Sequence, residues 1–155
     1  LQTNDWWDRY INTMGPDDEC IFAIDGFKDT HSIYRRNTNW DRIIENAKKV
    51  IEAGKKARAE VLVFKHNEHQ IEELTKFLYG MGFSHVWARA TDRFYGFDKS
   101  PVYNRQGELE YHLEPAQGKQ WQMPINVDFV KMVDRKHFDE MVSKYEEWRK
   151  NQDPF

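Results

Sequence analysis

Cysteine is almost missing from this chain, with a single thiol, Cys20, in 155 residues. One cysteine excludes a disulfide within the chain and favours a reducing, cytoplasmic compartment. No apolar run approaches the roughly 18 residues of a membrane span, and no secretory apolar segment opens the sequence. Neither sign of charge dominates: 26 acidic residues face 23 basic ones. Nothing therefore points to nucleic acid or to a membrane surface as a partner. Aliphatic residues are also scarce. Hydrophobic content is 39% while aromatics reach 15%, so aromatic rings are expected to take over part of the core. The length suits one domain with a real core and is too short for two ordinary ones.

What is present is a βα rhythm. The opening "LQTNDWWDRYINTM" has no initiating methionine and reads as the tail of a strand running into a helix, the pattern of a fragment of a longer product. Asp5 is placed to cap that helix, whose apolar side is Trp6, Tyr10, Ile11 and Met14. Gly15-Pro16 ends it. "CIFAID" is then a continuous apolar run of strand length, as expected where both faces of a parallel sheet are covered. A polar loop follows, Gly26 to Thr38. The next helix is capped at Thr38 or Asn39, turns Ile43, Ala47, Val50 and Ile51 inward, and stops at Gly54. "AEVLVFK" is a second buried strand. "HNEHQIEELTKFLYGMG" is a further helix, with Asn67 and Gln70 at capping-box spacing and Ile71, Leu74, Phe77 and Leu78 inward. "FSHVWARA" is a third strand. Strand, helix and strand at this spacing predict parallel strands joined by right-handed crossovers. Beyond Thr91 the regularity fades. "PVYNRQGELEYHL" has the form of a small hairpin turning on Arg105-Gln106-Gly107, and 127–150 has helical composition.

Ligands of parallel α/β folds bind off the carboxyl ends of the strands. That rule selects Thr3-Asn4, Asp25-Gly26, His66-Asn67 and Arg89 to Arg93. Hydroxyl, amide, carboxylate and guanidinium groups without a nucleophile suit a ligand with ribose hydroxyls and a carboxylate or phosphate. Each position has a plainer alternative. Asp25-Gly26 also serves as a strand-ending turn, and Arg35-Arg36 also suits a solvated loop pair. "HNEH" spaces His66 and His69 like metal ligands, but a cap by Asn67 explains it more cheaply. Cys20 opens a strand and reads as a buried structural thiol.

Taken together, "FAIDGFKDTHSIYRRNTNWDRIIENAKKVIEAG" and "VLVFKHNEHQIEELTKFLYGMGF" resemble the middle of a radical S-adenosylmethionine (radical SAM) enzyme of the kind that often carries a SPASM extension. The family's strand ends in Ser-Ile-Asp-Gly and is followed by Asp-Thr-His, Tyr-Arg-Arg and a helix with Ile-Ile-Asn-Ala. The likeness covers about residues 1–95. It implies an α/β fold, a partial (β/α) TIM-type barrel of parallel strands spanning about strands three to six. Residues 96–155 would form an irregular connector toward the auxiliary-cluster region. The implied parent cleaves S-adenosylmethionine at a 4Fe-4S cluster and abstracts hydrogen from a peptide or small metabolite. The implied cofactor-binding residues are Thr3, Asn4, Asp25, Arg35, Arg36 and Asn67, with no catalytic or metal-ligating residue in this chain. Ala23 stands where the family has a serine that helps hold the methionyl carboxylate. Asp5 and Asn37 stand where glycine is common, so both loops are expected to differ in backbone shape.

The same resemblance exposes a deficit. The family's CxxxCxxC thiolates hold the cluster, and this chain has one cysteine, in another element. On this reading the motif belongs to sequence before Leu1, and the isolated chain is inactive. A module without a cluster, binding a nucleotide-like ligand or a partner protein, is the alternative. Anaerobic incubation of the chain with iron and sulfide is therefore expected to leave no cluster absorbance; a stoichiometric 4Fe-4S spectrum would refute this.

Overall fold

A computed structural model describes residues 4–91, 94, 98–118, 121 and 147. Elements follow in the order α1 (Asn4–Thr13), β1 (Glu19–Ala23), α2 (Lys28–Tyr34), α3 (Trp40–Glu52), β2 (Lys56–Val63), α4 (Ile71–Met81), β3 (His85–Ala90), β4 (Ser100–Tyr103) and β5 (Leu109–Leu113). The described residues divide into two units. The first lies within Leu1–Val61 and Gln70–Ala88, the second within Leu62–His69 and Arg89–Pro154. Strands β2 and β3 run across that boundary.

The three-stranded sheet has the order β1-β2-β3 and is parallel. Glu19 pairs with Lys56 and Ala23 with Glu60 at the two ends of the β1–β2 register. The chain is α/β as expected, but the partial TIM-type barrel is not what forms. Among the described residues there is a small parallel sheet, a separate two-stranded antiparallel sheet, and no barrel closure. Two local features account for this. Asn4 opens helix α1 instead of ending a strand, while Thr3 lies outside the described residues. After β3 the described residues enter no further βα unit. The chain goes on to the hairpin β4–β5, where Pro101 and the Asn104–Glu108 turn suit antiparallel pairing of neighbours in sequence. The helices expected in 127–150 lie outside the described residues.

In the first unit the apolar periodicity decides which faces are buried. Helix α1 turns Ile11 and Met14 inward and stacks Trp7 on Phe22, with ring centroids 6.0 Å apart. Ile11 and Met14 of the expected inward face are buried, while Trp6 and Tyr10 stack on each other and stay exposed. The spacing of 7, 11 and 14 is the true helical stripe. Helix α3 is capped by Asn39, whose side chain accepts the Arg42 N–H at 3.0 Å. It buries Ile44, Ala47 and Val50. It ends with Gly54 at φ 73°, and the Gly54 and Lys55 amides return to Ile51 and Val50, a left-handed stop that glycine adopts without strain. Helix α4 buries Ile71, Leu74 and Leu78.

The expectation of strands covered on both faces fails for β1, where Ile21 is 51% exposed between buried Cys20 and Phe22. The sheet is lined on one face and more open on the other. Strand β2 shows the same alternation: Ala57, Ala59, Val61 and Val63 are buried and the residues between them are not.

The second unit holds β4–β5 and the turn after β2. Phe64 is fully buried, pairs its backbone with Pro115, and packs edge-on against Phe94. Aromatics thus carry core duty here, as the composition suggested. Lys65 bonds Glu114 through both main chain and side chain.

Leu78 has no exposed surface and belongs to the first unit's core. Leu78→Ala is expected to cost about 2–5 kcal/mol of stability, read as a lower urea midpoint with an unchanged slope.

Candidate functional site

Among the described residues of the first unit, the buried polar side chains gather around the loop that follows β1. They are Asp25, Thr30, His31 and Gln70. The loop begins where β1 ends its hydrogen bonding, with the Ile24 amide donating to the Glu60 carbonyl. It was expected to be irregular, yet Lys28–Tyr34 is a short helix, α2, whose buried residues are Thr30 and His31. A helix with a polar inner side leaves no apolar period in the sequence, which is why it was not foreseen.

Gly26 makes the approach to α2 possible. Its φ is 117°, and a Cβ there would sit 2.2 Å from Thr30 Oγ1. Only glycine combines that backbone with that proximity. The Gly26 carbonyl accepts the Trp40 indole N–H at 3.1 Å. Gln70 then ties the loop to the start of α4. Its Oε1 accepts the Phe27 N–H at 3.0 Å and the Thr30 hydroxyl at 2.5 Å, while its Nε2 donates to the Asp29 carboxylate at 3.1 Å. The capping-box reading of Gln70 is thereby corrected. Gln70 is itself the N-cap position of α4, makes no side-chain cap bond, and spends its amide on the loop.

At the centre of the loop is Asp25, with no exposed surface. Its Oδ2 accepts the Arg35 Nε–H at 2.6 Å. Arg35 sits at the end of α2 with its side chain 34% exposed, its guanidinium carbon 5.2 Å from the Tyr34 ring centroid. The pair is held through Nε alone. Among the described residues the two terminal nitrogens of Arg35 make no hydrogen bond. A buried charge costs several kcal/mol to desolvate, and a close charge-assisted bond is what makes it tolerable. The Asp25 backbone amide donates to His31 Nδ1 at 3.1 Å. Burial pushes the His31 imidazole below its ordinary value of 6.5; the Asp25 carboxylate opposes this and the Arg35 guanidinium adds to it.

Of the residues expected to bind cofactor, the structure brings together Asp25 and Arg35. Arg36 is exposed, and its amide bonds the Tyr34 carbonyl. Asn4 lies in α1, and Thr3 is outside the described residues. Asn67 belongs to the second unit. It is fully buried there, with Oδ1 accepting the Phe64 N–H at 2.7 Å and Nδ2 donating to the Leu62 carbonyl at 2.9 Å. That is a self-bonded turn rather than the cap of a helix. Asn37, standing where glycine is common, adopts φ 60°, so the loop after the arginines keeps a left-handed residue. Asparagine tolerates this better than most.

His31, Thr30, Asp29 and Gln70 are the residues sequence reasoning missed. "DTH" and the Gln70 spacing were visible, but Asp29 and Thr30 bond Gln70 across 41 and 40 residues, and the His31 bond runs to a backbone amide, that of Asp25. Among the described residues no group of three His, Cys, Asp or Glu side chains is placed to hold a metal ion. No helix among them is long and apolar enough to cross a membrane. No protein-family model matches the chain, and no curated protein matches it.

Removing the guanidinium while leaving the buried carboxylate should be costly. Because Arg35 is itself a third exposed, Arg35→Met is expected to lose about 3 kcal/mol, the low end for breaking a buried pair. Asp25→Asn/Arg35→Met should recover part of that loss in a double-mutant cycle followed by urea unfolding.

Proposed function

We propose that this chain is the S-adenosylmethionine-side portion of a radical SAM-type enzyme, with Arg35 receiving the methionyl carboxylate. The observation that carries this reading is the half-used guanidinium. Asp25 fixes Arg35 through Nε, and the terminal nitrogens keep the fork geometry that matches a carboxylate. Its position beyond the carboxyl end of a parallel strand is where α/β sheets bind ligands. With Ala23 unable to donate a hydrogen bond, Arg35 offers a donor in its place. Asp25 orients rather than touches the ligand, since its side chain has no exposed surface. Arg36 adds positive charge on the exposed side, and the substrate is a peptide or small metabolite.

The cluster itself does not fit these residues. The chain has one thiol, Cys20, at the amino end of β1 and held protonated by burial. Cluster ligands, and with them the radical chemistry that the bound S-adenosylmethionine supplies, would have to come from chain outside these 155 residues. A cytoplasmic setting accompanies this reading, for the same scarcity of cysteine. The scarcity also favours a second reading, in which the chain is a cluster-free module for a nucleotide-like ligand or a partner protein.

Equilibrium dialysis tests the assignment of Arg35. The chain is expected to bind S-adenosylmethionine saturably, and Arg35→Lys should weaken it about tenfold, the worth of one charge-assisted bond. Binding of 5′-methylthioadenosine, which lacks the carboxylate, should be the same in both proteins. An equal loss for both ligands, or no saturable binding, overturns the assignment of Arg35. A CxxxCxxC in the encoded sequence before Leu1 supports the enzyme; an upstream barrel half without cysteines supports the module.

A further inference from the structure

His31 is the buried titratable group that the ligand reading leaves unused. Its side chain lies in α2 and the residue is 1% exposed. Because Nδ1 accepts the Asp25 N–H, the ring must be neutral with its proton on Nε2. Nε2 has no hydrogen-bond partner among the described residues, so nothing there rewards a second proton. The charged groups acting on the ring are Asp25, from the end of β1, and Arg35, from the end of α2.

A proton added to Nδ1 would face the Asp25 N–H across 3.1 Å. Two donors cannot share that line, so the bond becomes a repulsion and the strand-end backbone must move. The Asp25 carboxylate that anchors Arg35 moves with it. We infer that His31 is a proton-operated latch: in its neutral form it pins the Asp25 backbone and so the aim of Arg35, and its protonation releases both. The device stands on these three residues alone, whichever ligand Arg35 takes.

The direction in pH follows from the buried ring. Its folded value lies below the ordinary 6.5, with burial outweighing the attraction of Asp25. The unfolded or opened chain therefore binds the proton first. The latch is fully closed above about 6.5, weakens as pH falls below that value, and levels off beneath the folded value.

The test uses the full chain labelled with nitrogen-15. Long-range proton–nitrogen correlation at neutral pH should show His31 as the Nε2–H tautomer. Below the ordinary imidazole value, the exchange protection of the Asp25 amide, corrected for intrinsic rate, should fall about tenfold per pH unit. His31→Asn offers an acceptor near the position of Nδ1 but cannot titrate. It should keep the protection at neutral pH and abolish the acid loss. An Nδ1–H tautomer or an imidazolium at neutral pH overturns the inference, as does an acid loss that persists in His31→Asn. If that variant does not fold, the wild-type tautomer and midpoint decide, and a midpoint at or above 6.5 counts against the latch.

Discussion

A carboxylate without exposed surface has to be answered by a cation and by fixed hydrogen bonds, or the strand that carries it cannot end where it does. Asp25 is that group here. Its side chain is answered by Arg35 and its amide by His31. Both partners come from the ten residues that follow it. The short helix α2 exists as a structured element because it delivers these two groups, with Thr30 and His31 on its buried side. Gly26 supplies the turn that lets α2 pack so closely, and Gln70 secures the turn from α4. Hydrophobic packing in α3, β2 and α4 then furnishes a rigid base, so that the polar cluster is positioned by elements that take no part in its chemistry.

The division of roles within the cluster bears on function. Asp25 and Gln70 are consumed by internal bonds and act on geometry. Arg35 is bonded at one nitrogen of three and is partly exposed, which separates the group that is held from the groups that are offered. An arginine oriented in this way has lost little freedom on meeting an anion, because the ordering of its side chain is already accomplished in the folded chain. Arg36, adjacent in sequence, is the more exposed of the two.

The βα order was legible because it is written in apolar runs and in punctuation by Asn39 and Gly54, both of which act locally. The hairpin was legible for the same reason, from Gly107 and the strands on either side. The barrel was not. The likeness of residues 1–95 to one family suggested a partial barrel of about four parallel strands, whereas the described residues form a three-stranded parallel sheet and a separate antiparallel hairpin. Helix α2 left no trace because polar side chains fill its buried positions. The cap assigned to Asn67 and Gln70 failed because spacing alone does not tell a cap from a turn or from a tie to a distant loop. In the site itself, Asp25, Arg35 and Arg36 were readable as a motif, but the hold of Asp25 on Arg35 through Nε required distances.

Gln70 bears on the order in which the molecule assembles. Its bonds to Phe27 and Thr30 close loops of 43 and 40 residues, long spans compared with the contacts that build α3 or the β4–β5 turn. Contacts of that separation are closed only after nearer ones have reduced the entropy of the chain. The loop after β1 is therefore expected to set late, once α4 has docked. Its interactions are then expected to act on how long the finished loop survives, the Gln70 tie bearing on the rate at which the molecule opens more than on the rate at which it forms.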